Sequence, residues 1–192
     1  LMMVSMIFVM IVISEASVER VAEVLNEQAT LTNPKNAVTT IETGDIEFKN
    51  VQFKYNALSE EADLRDINLK IQSGETIGII GGTGSGKSSL IQLIPRLYDV
   101  TEGEVYVSGR NVKEYDLVTL RDQIAMVLQK NTLFSGTISE NLRWGDKNAS
   151  DEEIKRVAKL AQADDFVQAF PEGYETQLDQ GGTNVSGGQK QR

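Results

Sequence analysis

The chain of 192 residues predicts an α/β domain behind an apolar N-terminal helix, and three observations carry that expectation. A short apolar run, Thr76 to Ile80, leads directly into a glycine-rich segment and then an apolar helical stretch. Strand, glycine loop and helix in that order open a parallel α/β sheet. Upstream, apolar residues alternate with polar ones at the period of half-buried strands. Downstream of Gln129 the spacing changes to that of helices, so the second half reads as mainly helical. Length and composition agree: 40% hydrophobic and 24% charged residues suffice for a packed core, and the length fits one ordinary domain with an appendage.

Leu1 to Ile13 is apolar throughout except for Ser5 and carries no charge. As a helix it spans roughly 20 Å, short of a hydrocarbon core of ~30 Å, so alone it does not cross a membrane. A secretory signal would place positive charge ahead of the run and a small-residue cleavage site behind it, and Ser14-Glu15 follows instead. Because the chain opens on Leu1 and not on Met, the run is expected to be roughly the last two-thirds of a transmembrane helix. Val18, Val21, Ala22 and Leu25 continue the helical spacing among Glu19, Arg20, Glu23 and Asn26. Residues 1–26 therefore read as a membrane helix end with its cytosolic extension. Residues 27–44 are polar, lose the period and contain Pro34, as a linker does, and a domain is expected from Asp45 onward.

Ile46 and Phe48 start a strand whose parity then slips so that Val51, Phe53 and Tyr55 carry the pattern, which predicts a bulge near Lys49-Asn50. Ile67, Leu69 and Ile71 mark a second half-buried strand. Thr76 to Ile80 is the continuous apolar run of a strand buried on both faces. A helix over Ser88 to Ile94 ends at Pro95. Glu104 to Val107 and Ile124 to Leu128 are further strands, with a turn at Ser108-Gly109. Thr137 to Arg143 is a short helix. Ser150-Asp151-Glu152-Glu153 is a capping box opening a helix with Ile154, Val157, Ala158 and Ala161 on one face, and Pro171-Glu172-Gly173 breaks the helical run.

Composition excludes several classes of chemistry. A net charge of -9 argues against a protein whose main task is gripping a nucleic-acid backbone, so an anionic ligand must be captured locally. No cysteine and no histidine are present, which removes disulfide scaffolds, thiol catalysis, zinc sites and Ser-His-Asp hydrolysis.

Gly81-x-x-x-x-Gly86-Lys87-Ser88 satisfies the Walker A phosphate-binding pattern, and it stands where that pattern needs to stand, after an apolar run and at the opening of a helix. Gly82, Gly84 and Gly86 let backbone N–H groups turn toward phosphates, Lys87 neutralises the terminal phosphates, and the Ser88 hydroxyl can ligate magnesium. By itself this pattern leaves GTPases, nucleoside kinases and motor ATPases open. Ser186-Gly187-Gly188-Gln189, followed by Lys190-Gln191-Arg192, is a second phosphate-ready helix start, a hydroxyl and two glycines ahead of helix formers. Two such starts with one Walker A loop suggest that the second serves another chain's nucleotide.

GGTGSGKSS, VLQKNTLFSGTISENL and GGTNVSGGQKQR, in that order, resemble the nucleotide-binding domain of an ATP-binding cassette (ABC) transporter. The apolar start followed by ASVERVAEVLNE is similar to the end of the last transmembrane helix in exporters of that family. The resemblance implies a P-loop NTPase core with an N-terminal antiparallel β subdomain and a mainly helical signature subdomain. It implies ATP and Mg2+ as ligands. Gly81, Gly82, Thr83, Gly84, Ser85, Gly86, Lys87, Ser88 and Ser89 would form the phosphate loop. Tyr55 would stack on adenine, Gln129 would reach Mg2+ and the attacking water, and Ser186, Gly187, Gly188 and Gln189 would touch ATP held by a partner. Lys87 and Gln129 would be the catalytic residues and Ser88 and Gln129 the metal contacts. Trp144 is expected to pack and not to contact ligand.

Two departures stand out: Val185 where leucine is commonest, and Asp179-Gln180 where exporters usually carry Gly-Glu. These put the loop's contact with the membrane domain in question. The family's Walker B strand, D-loop and switch histidine are expected beyond Arg192, so residues 45–192 read as an incomplete domain, inactive alone. The resemblance implies a membrane exporter half-transporter pairing with a second half as homo- or heterodimer, its nucleotide domain on the cytoplasmic side of a plasma or inner membrane, without nucleic acid. A soluble non-transport ATPase, an importer ATPase or the weakly hydrolysing half of a heterodimer are the alternatives, and the apolar start argues against the soluble ones.

Overall fold

Helix α1 runs from Met2 to Asn26 and buries none of its residues. Near its middle the Ser14 hydroxyl is satisfied within the helix, donating to the carbonyl of Met10 at 2.8 Å. By length and composition α1 is able to cross a membrane. The computed structural model describes residues 2–56 and 58–192, which form two units, one up to Ala125 and one from Met126 to Arg192.

In the first unit, strands β1 (Ile46–Phe53), β2 (Leu64–Ile71), β3 (Glu102–Val107) and β4 (Arg110–Asn111) make an antiparallel sheet in the order β2-β1-β3-β4. The expected bulge is present. Register shifts in both ladders beside β1, and Asn50 adopts φ 48° while donating its N–H to Asn68 Oδ1 at 2.9 Å. Gly103 lies against this bulge, where a Cβ would fall 2.3 Å from the Asn50 carbonyl, so glycine is required there. Ser108 and Gly109, at φ 50° and 73°, make the two-residue hairpin between β3 and β4. Phe48, Val51, Phe53, Val105 and Val107 from the sheet pack with Leu93, Tyr115 and Leu120, and the buried Tyr115 hydroxyl donates to the Val107 carbonyl at 2.9 Å.

Residues 27–44 form no regular element, yet they are fastened along the unit. Val38 bridges Tyr115, Val38 and Ile41 pack on the core, and the Asn33 side chain bonds both the Leu117 N–H and the Asp116 carboxylate. Buried Arg96 pairs with Asp99 at 2.7 Å and reaches the Thr32 carbonyl. The polarity that reads as a linker belongs to a segment whose hydrogen bonds run sideways to its neighbours.

Four expectations are corrected. Thr76 to Ile80 and Ile124 to Leu128 are not strands, and no described residue pairs with either run. Ile77, Ile79, Ile80 and Val127 are exposed, Ile80 almost completely at 99%. A strand exists through its neighbour's N–H and C=O groups, and an apolar run alone does not supply them. Tyr55 lies two residues past the end of β1 and so is not its last inward side chain. Helix α2 spans Lys87–Gln92, closing two residues before Ile94, because the residue preceding a proline is driven from helical backbone.

The second unit is mainly helical: α4 (Ile138–Leu142), α5 (Asp151–Leu160), α6 (Asp164–Gln168) and α7 (Gly187–Gln191), with α3 (Leu117–Asp122) belonging to the first unit. Two-residue strands β5 (Gly136–Thr137) and β6 (Gln177–Leu178) pair antiparallel. Thr137 and Glu140 close a full capping box on α4. On α5 only half the expected box forms. Ser150 accepts the Glu153 N–H at 3.2 Å, but the Glu153 carboxylate turns to Arg156, one turn further along. Ile154 and Ala158 of α5 are buried while Val157 and Ala161 are not. Ile138, Val167 and Leu178 form the unit's core, with Phe166, Phe170 and Val185 against it.

Candidate functional site

The Walker A segment folds back on its own lysine. Gly84 and Gly86 take φ 83° and 81°, and Lys87, the first residue of α2, sends its ammonium into the loop. Lys87 Nζ donates to the carbonyls of Gly81 and Gly82, each at 2.7 Å, and to Ser85 Oγ at 3.3 Å. Gly86 is hemmed in by other parts of the chain, since a Cβ there would fall 2.6 Å from Leu64 Cδ2 and 3.1 Å from the Asp63 carbonyl. Thr83 and Ser88 stand exposed, and nothing crowds Gly82.

Tyr55, Asp63 and residues 84–89 enclose an open pocket of ≈ 290 Å³. Tyr55 is fixed there as a half-exposed ring. Its hydroxyl bonds Ser89 Oγ at 3.0 Å and Gln92 Oε1 at 3.1 Å, its N–H donates to Asp63 Oδ2 at 2.9 Å, and it meets Phe53 and Tyr98 edge-on at 4.7 and 5.0 Å. Ser89 is therefore a buried holder of Tyr55. Gln92, Tyr98 and Asp63 escape a sequence reading, although Ser89 and Gln92 stand three residues apart on one helix face, the spacing at which two side chains can grip one partner.

In the second unit Ser186 caps α7. Its Oγ accepts the Gln189 N–H at 3.2 Å while Gln189 Oε1 accepts the Ser186 N–H at 2.8 Å, a reciprocal box. The box uses an acceptor site of Ser186, so its O–H stays available to donate, and the Gln189 amide keeps its NH2. Gly187 and Gly188 face open space, and Val185 packs into the Ile138, Val167 and Leu178 cluster, filling the place where leucine is commonest. Asp179, one of the atypical residues, closes its own turn with Thr183, Gly182 and Asn184. Gln129 lines a recess of ≈ 440 Å³ that also takes in Gly187, Lys190 and Gln191. Trp144 stacks on Phe134 at 4.6 Å and remains 68% exposed, so its packing is one-sided. Among the described residues no cluster of acidic side chains is arranged to hold a metal ion.

A glycine loop closed around a lysine, opening a helix beside a fixed aromatic ring, defines a P-loop nucleotide-binding domain. The ABC transporter family matches residues 64–192, more than half of the sequence, and the chain belongs to that family. It is 46% identical over 180 residues to the multidrug export ATP-binding/permease protein YgaD of Bacillus subtilis, covering 93% of this chain and 31% of that protein. It is 48% identical over 152 residues to the similarly named SAB1799c of Staphylococcus aureus, covering 79% of this chain and 26% of the relative. Among solved structures, a bacterial Atm1-family ABC exporter with ATP bound superposes with a TM-score of 0.86 at 27% identity, over 98% of this chain and 33% of that one. The antiparallel sheet and the helical second unit are thus parts of an exporter-type P-loop fold, and the chain spans between a quarter and a third of the length of these relatives.

Proposed function

We propose that residues 45–192 bind ATP through the loop Gly81–Ser89 and serve as the nucleotide-binding domain of an export half-transporter. The observation that supports this most is Lys87 Nζ turned into the loop at 2.7 Å from two of its carbonyls, beside the exposed Ser88 hydroxyl and the pocket bordered by Tyr55. On this reading Lys87 exchanges those carbonyls for phosphate oxygens, a charge-assisted bond that neutral groups do not match. Tyr55 offers the exposed half of its ring to adenine. Ser88 in the first unit offers a hydroxyl oxygen and Gln129 in the second an amide oxygen, each a donor of the kind Mg2+ takes alongside phosphate and water. Mg2+ would offset charge developing on the γ-phosphate. Hydrolysis belongs to the whole protein. The sequence has no histidine, and among the described residues lining the pocket the one carboxylate, Asp63, already accepts the Tyr55 N–H, so turnover is not expected from these 192 residues alone.

The partner surface follows from Gly187 and Gly188. Neither needs glycine for its own backbone or for space, yet glycine in a helix costs about 1 kcal/mol relative to alanine. Their bareness therefore serves close approach from outside, which supports a second half-transporter bringing its own ATP to Ser186. The relatives' export names and the exposed apolar helix α1 support a membrane setting; on this reading the nucleotide domain lies on the cytoplasmic side. The test is titration of the detergent-solubilised chain with Mg-ATP. Wild type should saturate and Lys87→Ala should bind far more weakly. Equal affinity in the two would remove the assignment.

A further inference from the structure

Five residues after Leu128, outside any regular element, carry Gln129, and the structure shows what holds them. From Leu128 to Leu133 the chain forms no regular element. Its far end is anchored on α4, where Phe134 gives its N–H to Asn141 Oδ1 at 2.9 Å and receives Asn141 Nδ2 on its carbonyl at 3.0 Å. Before that anchor, the ties lead to the last turn of α7. Gln191 Nε2 donates to the Leu128 carbonyl at 3.2 Å, and Gln191 Oε1 accepts from Asn131 Nδ2 at 3.4 Å. A second route is partly buried. Lys190 Nζ donates to the Gly181 carbonyl at 2.8 Å, and the Gly181 N–H in turn donates to the Leu133 carbonyl at 2.9 Å. Leu133 and the Lys190 stem both lie close to Gly182, where a Cβ would fall 3.0 and 3.3 Å from them.

We propose that Lys190 and Gln191 are positioning residues that fasten the Gln129 loop to the helix carrying Ser186, so that the two candidate nucleotide contacts of this unit are set by one short rigid piece. The ties at 128, 131 and 133 bracket Gln129, and α7, five residues and roughly 8 Å long, is too short to bend between its cap and its last turn. Displacing Gln129 therefore strains Gln191, and through it Ser186. The inference rests on reading Gln129 as a nucleotide contact.

The chain contains no cysteine, so a single introduced cysteine carries the only spin label. With the label at Thr132→Cys in the detergent-solubilised 192-residue chain, combined Lys190→Met and Gln191→Ala should speed label motion roughly threefold, as loss of several local bonds loosens a segment without unfolding its neighbours. Lys190→Arg, which can still donate to Gly181, should restore most of the restraint in a chain that keeps Gln191. A control label at Glu152→Cys on α5 should not change. Unaltered motion at Thr132 in the double variant would overturn the proposal, and so would equal loosening at Glu152, which would make the two side chains ordinary contributors to stability. Adding Mg-ATP separates the underlying reading. If ATP restrains the Thr132 label in wild type but not in Gln129→Ala, the nucleotide role of Gln129 stands. If ATP acts on neither while the double variant still frees the loop, the ties stand and the nucleotide role is lost.

Discussion

Replacing Gly86 by alanine separates two costs that the phosphate loop imposes on its sequence. The residue sits at φ 81°, which costs an L-residue about 1–2 kcal/mol. Its new Cβ would also lie 2.6 Å from Leu64 Cδ2, well inside the ≈ 3.5–4.0 Å of ordinary carbon contacts. Leu64 is buried, so relief means repacking or backbone shift, about 1–3 kcal/mol more. Gly84→Ala is the control, because Gly84 has φ 83° but open space around its Cβ position, leaving about 1–2 kcal/mol. Gly86→Ala should therefore destabilise the first unit by about 2–5 kcal/mol, clearly more than the control. The two units can be followed largely apart. Tyr55, Tyr98, Tyr106 and Tyr115 lie in the first and one tyrosine, Tyr174, in the second, so the tyrosine signal reports chiefly on the first unit, while Trp144, the single tryptophan, reports on the second. Denaturant unfolding followed by near-ultraviolet tyrosine dichroism should move to lower denaturant in Gly86→Ala while the tryptophan transition holds its midpoint. Equal midpoints for the Gly86 and Gly84 variants would refute the steric argument.

Tyr55→Phe should keep ATP affinity within about twofold while lowering thermal stability slightly, since it removes only the hydroxyl bonds to Ser89 and Gln92. Tyr55→Ala should weaken ATP binding about tenfold without altering the preference for triphosphate over diphosphate, and equal nucleotide titrations for all three proteins would contradict a stacking role. Gly188→Ala should leave the melting of the 192-residue chain unchanged or raise it slightly, and in the protein that carries this domain it should reduce ATP-dependent pairing measured by sedimentation. Acid sensitivity follows from two carboxylates. The Thr43 hydroxyl and the Ser73 N–H hold Asp45 below its usual 3.8, and the Thr119 N–H does the same for Asp116. Both therefore add stability that is present above the unfolded pKa and lost as pH falls below about 4 through the folded values. Tyrosine dichroism against pH should show this acid loss flattened in the Asp45→Asn and Asp116→Asn proteins, and an unchanged slope would contradict it.

What the sequence makes legible is whatever short-range chemistry decides. The parity slip at Lys49-Asn50 requires a bulge, Ser108-Gly109 requires a tight turn, and the Walker A spacing requires a loop around Lys87, and all three are present. Helix α5 likewise starts at Ser150, as its capping chemistry dictates. The failures are long-range. Thr76 to Ile80 and Ile124 to Leu128 have strand composition but no strand paired with them among the described residues, and no local pattern reveals that. Residues 27–44 read as free because their partners, Tyr115, Asp116 and Arg96, lie far along the chain. Tyr55 was legible as a candidate only by resemblance, whereas the grip of Ser89, Gln92 and Asp63 on it depends on how α2 and the turn before β2 meet. The box at Ser150 is half formed because Arg156 competes for Glu153.

The central claim, an ATP site built from the Lys87 loop and the Tyr55 ring, is tested most directly by photolabelling with 8-azido-ATP and mapping the modified peptide. The label should fall on the peptide containing Tyr55, vanish under excess ATP, and be lost in Lys87→Ala. Label that falls elsewhere, or that survives both excess ATP and loss of the lysine, would contradict the account.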